Sequence, residues 1–157
     1  MNLAPALALA LSAAAPAQAK FDPVEFFRGH SVGRGELKIP LQSPLRVDVK
    51  SEGRTERDGT LLLIQRVNQQ GQKGRTRYWR LKRQSATHFT GTLTDAAGPV
   101  ALDVVGNRAR IHYRMKNRMS VEQWLTPAGH NLVNNQMRVR RFGVVVARLN
   151  ETIRKLD

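Results

Sequence analysis

Cysteine is absent from the 157-residue sequence. Its absence excludes a disulfide framework, a thiolate nucleophile, a cysteine-ligated zinc site and an acylated lipoprotein terminus, so stability must come from a packed core. Acidic residues are scarce as well. Twelve Asp and Glu face 26 Lys and Arg, a formal net charge of +14. A surplus of that size sets up a long-range positive potential that draws phosphate- or carboxylate-bearing partners and weakens in salt. A bilayer-spanning run is missing too. The uncharged stretch Met1 to Ala19 falls short of the ~20 apolar residues a spanning helix needs, and Pro5 and Pro16 interrupt it.

What that stretch does carry is a short apolar region ending in Ala17-Gln18-Ala19. Small residues at the first and third of those positions suit a signal peptidase, which predicts a signal peptide over 1–19, cleavage before Lys20, and a periplasmic or secreted protein. Every Lys and Arg lies beyond that point, so the mature chain keeps the whole positive charge. Outside the cytoplasm the matching partners are lipid headgroups, surface polysaccharide or anionic small molecules rather than nucleic acid.

The remaining length, 20–157, suits one domain. Its most informative segment is Asn107–Arg118. Arg108, Arg110, His112, Arg114, Lys116 and Arg118 share one parity, while Ala109, Ile111, Tyr113 and Met115 share the other. Period-two alternation belongs to a strand with one buried and one wet face. Upstream, Asp22-Pro-Val-Glu25 reads as a short helical turn, with Asp22 as N-cap, Pro23 at the first helical position and Glu25 returning to the cap amide. Gly29, Gly33 and Gly35 predict a bent or bulged first strand. Asp58-Gly59, Gly71 with Gly74, Gly98-Pro99 and Gly106-Asn107 then punctuate short strand-like runs to the end of the chain. About eight to ten strands joined by consecutive hairpins predict an all-β, antiparallel, up-and-down barrel, which leaves no open edge.

Catalytic signatures are missing. His30, His88, His112 and His130 lie far apart without zinc-site spacing, and neither a nucleophile elbow, a phosphate loop nor a dinucleotide fingerprint occurs. His30 and Ser31 adjoin on an extended segment and would face opposite ways. The carboxylates show no spacing that pairs any two of them for acid–base work. The reading is therefore of a non-enzyme without metal or cofactor, although an active site assembled from distant residues would escape a motif search.

From Phe21 onward the chain resembles a bacterial family known as domain of unknown function 3833. The resemblance rests on Phe21-Asp-Pro-Val-Glu-Phe-Phe27 with Gly29, Tyr78-Trp-Arg80, and Phe89-Thr-Gly-Thr-Leu-Thr-Asp95 leading to Gly98. It continues through Gly106-Asn107 with Tyr113, then Trp124, Asn134 and Arg141-Phe-Gly143, in the same order. It implies a lipocalin-like barrel in the cell envelope and no assigned activity. The chain departs from the family pattern at Gln65-Arg66 and Glu122-Gln123, where the family favours acidic residues, so no role for those carboxylates carries over.

In such a barrel the apolar parity faces inward. Trp79, Tyr113 and Trp124 are then the candidates for touching a guest, against the plain alternative of core packing. Arg141, beside Phe142-Gly143, would either hold an anion bidentately or stack on an aromatic at the barrel end and bond the first strand. Arg108, Arg110, Arg114, Lys116 and Arg118 form a candidate contact for an anionic surface. Two functions compete above an unrecognised enzyme: a carrier or binding module for a small amphipathic or anionic ligand, and a solid envelope scaffold that docks on anionic lipid or protein through its basic face.

Overall fold

The computed structural model describes residues 20–157, and the expected signal segment lies outside the described residues. A single-turn helix, α1 (Pro23–Phe27), leads into β1 (Gly29–Lys38), β2 (Leu45–Thr55), β3 (Leu61–Gln69), β4 (Arg75–Arg83) and β5 (His88–Leu93). The chain continues through β6 (Val100–Val105), β7 (Arg108–Arg114), β8 (Ser120–Gly129), β9 (Leu132–Arg141) and β10 (Val144–Lys155). Each strand pairs antiparallel with its neighbour in sequence, and β1 pairs with β10, from Ser31–Lys155 to Lys38–Arg148. The result is the expected up-and-down barrel, closed by ten strands.

Alternation decides which side chains turn inward. On β7, Ala109, Ile111 and Tyr113 are buried while Arg108, His112 and Arg114 stay exposed. Leu61, Phe89, Val100, Leu102, Leu125 and Val133 form the driest part of the interior. Four of the hairpin connections lie at the end of the barrel that α1 covers. The other five lie at the opposite end, called here the mouth.

At the covered end, Asp22 Oδ1 accepts hydrogen bonds from the amides of Val24 (2.9 Å) and Glu25 (3.3 Å), the expected N-cap. The reciprocal bond from Glu25 does not form, because its carboxylate turns to Arg28 at 2.7 Å. Phe27, the last residue of α1, is buried, and Gly53 lies so close to the Phe27 carbonyl that a Cβ would collide with it. An ion pair between Asp22 and Arg83 at 2.7 Å fastens the turn to β4.

Two further expectations need correction. β1 is regular: its pairing runs in unbroken register on both sides, and the shifts fall instead at Pro127/Gly129 and Val145/Ala147. The register leaves no bulge in β1, and Gly33 and Gly35 make room for Glu151 and its backbone. The basic run is also not one strand. β7 stops at Arg114, and Lys116 and Arg118 occupy the following turn, where Arg118 takes a left-handed φ of 65°.

Candidate ligand cavity

Several inward positions break the apolar rule, and Ser31 on β1 is one of them, buried with its Oγ unpartnered among the described residues. Ser51, Gln65, Arg77, Gln123, Asn135 and Glu151 all point into the barrel. Most of them are bracketed two residues either way by apolar inward neighbours, as Gln65 is by Leu63 and Val67, and Glu151 by Leu149 and Ile153. This spacing makes a polar belt around the middle of the barrel. The main core runs from α1 up the wall of β5–β9 as far as Leu93, Tyr113, Val121 and Val139, while Val47, Val49, Val67 and Leu149 form a separate apolar cluster on the mouth side of β2, β3 and β10.

The belt is internally bonded. Trp79 Nε1 donates to Gln65 Oε1 at 2.7 Å, and Gln65 Nε2 donates to Ser51 Oγ at 3.3 Å. Arg77 donates to the Tyr113 hydroxyl at 3.2 Å, and its Nε lies 3.0 Å from Asp95 Oδ2 without hydrogen-bond alignment. Asn135 Nδ2 donates to Glu151 Oε2 at 2.9 Å. Burial raises the pKa of the Glu151 carboxyl above the ordinary 4.5, against smaller opposing effects from Asn135 and Arg77. Asn135 Oδ1 has no partner although it is buried. A buried acceptor left open in this way is costly unless something donates to it.

Between belt and walls runs a cavity of about 100 Å³ that reaches from Phe27 to Leu37, Gln69 and Arg75 near the mouth. Trp79 lines it, and Tyr113 packs edge-on against Trp79 with ring centroids 5.8 Å apart. Trp124 does not join them. Gln123 and Leu125 take the inward parity of β8, so Trp124 lies on the outer wall with the Arg108 guanidinium 4.3 Å above its ring. Arg141 is exposed at the mouth end of β9, stacked 5.4 Å from the Phe142 ring, with no hydrogen bond to β1 among the described residues.

The basic candidates also part company. Arg110 is committed to Glu122 through bonds of 2.9 and 2.7 Å, which hold that carboxyl below the usual range. Arg108 lies towards the covered end, whereas Arg114, Lys116 and Arg118 lie at the mouth. Arg110 and Arg114, with His112, Ser120 and Arg140, border a solvent-open groove of about 610 Å³ on the outer wall. Among the described residues, no three His, Asp or Glu side chains converge as a metal site.

The sequence reading missed Gln65, Arg77, Gln123, Asn135 and Glu151. For Gln65, Gln123, Asn135 and Glu151 a signal was present, an isolated polar residue with an apolar one two positions away on each side, whereas Arg77 lies between Arg75 and Trp79 and carries no such signal.

Fold and interior together define a closed antiparallel barrel of lipocalin-like architecture with a polar belt around its cavity. The chain belongs to the family described as "Protein of unknown function (DUF3833)", whose model matches residues 3–155. No curated protein matches it in sequence. Among solved structures it is similar to the S-type phycobiliprotein lyase CPES from Guillardia theta, at TM-score 0.66 and 7% identity, covering 85% of this chain and 90% of that one. It is also similar to a DUF3598-family protein of unknown function from Nostoc punctiforme PCC 73102, at TM-score 0.68 and 10% identity, covering 88% of this chain and 51% of the other. At such identities the likeness is one of fold.

Proposed function

We propose that this protein is an exported carrier in the cell envelope, processed before Lys20, whose barrel holds one small amphipathic ligand and performs no chemistry on it. The observation that carries the reading is the pairing of an apolar-walled cavity with convergent polar groups, one of them the unpartnered Asn135 Oδ1. Ligand sites are built in this way, mostly apolar with a few placed polar groups that orient the guest. The volume narrows the class. About 100 Å³ is well below the ~300–1,000 Å³ of sites that engulf drug-sized molecules, so the guest is slender, a single chain or ring with a hydrogen-bonding head. Export is supported by the uncharged segment ending in Ala17-Gln18-Ala19 and by the confinement of all charged side chains to residues beyond it.

The small volume also favours a second reading, a scaffold with a filled interior, in which Trp79 and Tyr113 are core. Native mass spectrometry of the protein purified from a bacterial periplasm separates the two. A discrete added mass that extracts as one lipid or small acid, and disappears in Trp79→Ala, establishes the carrier. A bare chain after incubation with envelope lipids establishes the scaffold.

A further inference from the structure

The mouth of the barrel differs from the covered end in three respects. First, the tips of its turns carry the most exposed bulky apolar side chains among the described residues, ahead of Leu156 and Val105 at the covered end. Leu41, between β1 and β2, is 106% exposed and Phe142, between β9 and β10, 87%, with Val144 beside it at 65%. The two hairpins are neighbours, because β1 and β10 pair.

Second, these tips are held in a backbone conformation that bulky residues avoid. Leu41 has φ 64° and Phe142 φ 50°, and Arg118 in another mouth turn has φ 65°. Glycine or asparagine would adopt such angles at lower cost. At the covered end the one non-glycine residue of this kind among the described residues is Asn131. Strained turns that display leucine and phenylalanine to water work against both stability and solubility, which points to an occupant outside the chain.

Third, the tips stand among cations. Lys38, Lys73, Lys116, Arg118, Arg140 and Arg141 lie at or next to the mouth turns, and among the described residues none of them forms a salt bridge. Asp95, the acid in those turns, is engaged by Arg77. The covered end also carries cations, but there Asp22, Glu25, Glu56 and Asp58 pair with Arg83, Arg28, Arg80 and Lys82, and Asp157 with His30.

We infer that the mouth docks on an anionic lipid bilayer, Leu41 and Phe142 entering the interfacial layer while the surrounding Lys and Arg meet the headgroups. A second copy of this chain is a poorer occupant, since it would bring two +14 molecules together. A protein partner is poorer as well, because isolated tips on separate turns do not make the ~800 Å² per side of a standard interface. A bilayer asks for neither flatness nor area: scattered apolar anchors ringed by basic side chains suffice. The inference does not depend on what the cavity holds, although it would bring the cavity opening to the membrane.

The test is flotation of the purified protein with vesicles of phosphatidylcholine alone or mixed equally with phosphatidylglycerol. The wild type should bind the anionic vesicles at low salt, and about tenfold or more weaker on neutral ones or when salt is raised. Leu41→Gly with Phe142→Gly relaxes both turns and removes both anchors, so the double variant should keep or raise its thermal midpoint while losing about tenfold in binding. Arg140→Glu with Arg141→Glu should lose at least as much. Arg54→Glu with Arg57→Glu, at the covered end, should change binding little. All variants share one amino terminus, so differences among them report on the barrel surface. No binding by the wild type, full binding by the double glycine variant, or equal losses from the two charge reversals would each overturn the inference. So would sedimentation showing a dimer that the glycine variant dissolves, without vesicle binding.

Discussion

The Glu151 carboxyl occupies the space that a side chain at Gly33 would need, and a Cβ on Gly33 would overlap its Oε1. Gly35, two residues on, is constrained differently, since a Cβ there would press on the backbone of Asn150 and Glu151. The glycines of β1 are thus spacers for a buried acid and for close strand approach.

Substitution should reveal the difference. Gly33→Ala has to displace the Glu151 side chain, an overpacking cost of about 1–3 kcal/mol. Gly35→Ala has to move backbone and should cost more. Urea unfolding of Gly33→Ala, Glu151→Ala and the double variant provides the check. The double variant should be more stable than the sum of the single losses predicts, because the clash goes when the carboxyl does. Simple additivity would mean that Gly33 serves some other purpose.

Glu151 also ties stability to pH. Its pKa is raised in the folded protein by burial, so the folded state binds the proton more tightly than the unfolded chain does. The stabilising effect of that bound proton is complete below the unfolded value near 4.5 and is lost as pH rises through the folded value. Glu151→Gln keeps the shape and removes the titration. The two proteins should therefore have similar stability near the acid end and diverge as pH rises, the Gln variant becoming relatively more stable. Parallel stability curves from acid to neutral pH would show that the carboxyl is not held protonated.

Barrel architecture was readable in the sequence because period-two alternation is a local signal, and β7 shows it from Ala109 to Tyr113 without interruption. The turns were readable for the same reason: Asp58-Gly59, Gly98-Pro99 and Gly106-Asn107 all fall where hairpins form. The site was less legible. Whether an inward glutamine is wasted or useful depends on what faces it across the barrel, and Gln65 meets Trp79 and Ser51 only through pairing of three strands. Trp124 misled because aromatic character suggested the interior while its parity, shared with Glu122 and Thr126, assigned it outside. Glycine in β1 looked like a bulge signal, since the sequence does not show that Glu151 lies opposite.

Trp79 and Trp124 should be separable by spectroscopy. Trp79 is 5% exposed with its indole N–H bonded to Gln65, while Trp124 lies outside under Arg108. Trp124→Phe leaves a single buried indole, whose emission should be blue-shifted and resist iodide quenching. Trp79→Phe leaves the outer one, which should be readily quenched. Trp79→Phe also strands Gln65 Oε1 and should cost about 1–3 kcal/mol, whereas Trp124→Phe should cost clearly less. Equal quenching of the two single-tryptophan proteins would contradict the inward and outward assignment.

The end of the chain is fastened by groups whose charges depend on pH. Asp157 accepts from the His30 backbone amide, its Oδ2 lies 2.8 Å from His30 Nδ1, and the Leu156 amide donates to the His30 carbonyl at 2.8 Å. Hydrogen bonding to Asp157 raises the His30 pKa above 6.5, and the same contact lowers that of Asp157 below 3.8. The part that depends on protonated His30 is complete below 6.5 and is lost as pH rises through the raised value. The part that depends on ionised Asp157 is present above 3.8 and is lost as pH falls through the lowered value. The clasp is therefore tightest between those limits, and because both side chains are solvent-exposed its effect is local rather than global. An NMR titration of His30 should give a midpoint above 6.5 that returns towards 6.5 in Asp157→Asn, and exchange of the Leu156 amide should quicken once His30 is neutral. A wild-type midpoint at or below 6.5, or one that Asp157→Asn leaves unmoved, would mean that the carboxylate and the imidazole are not paired in solution.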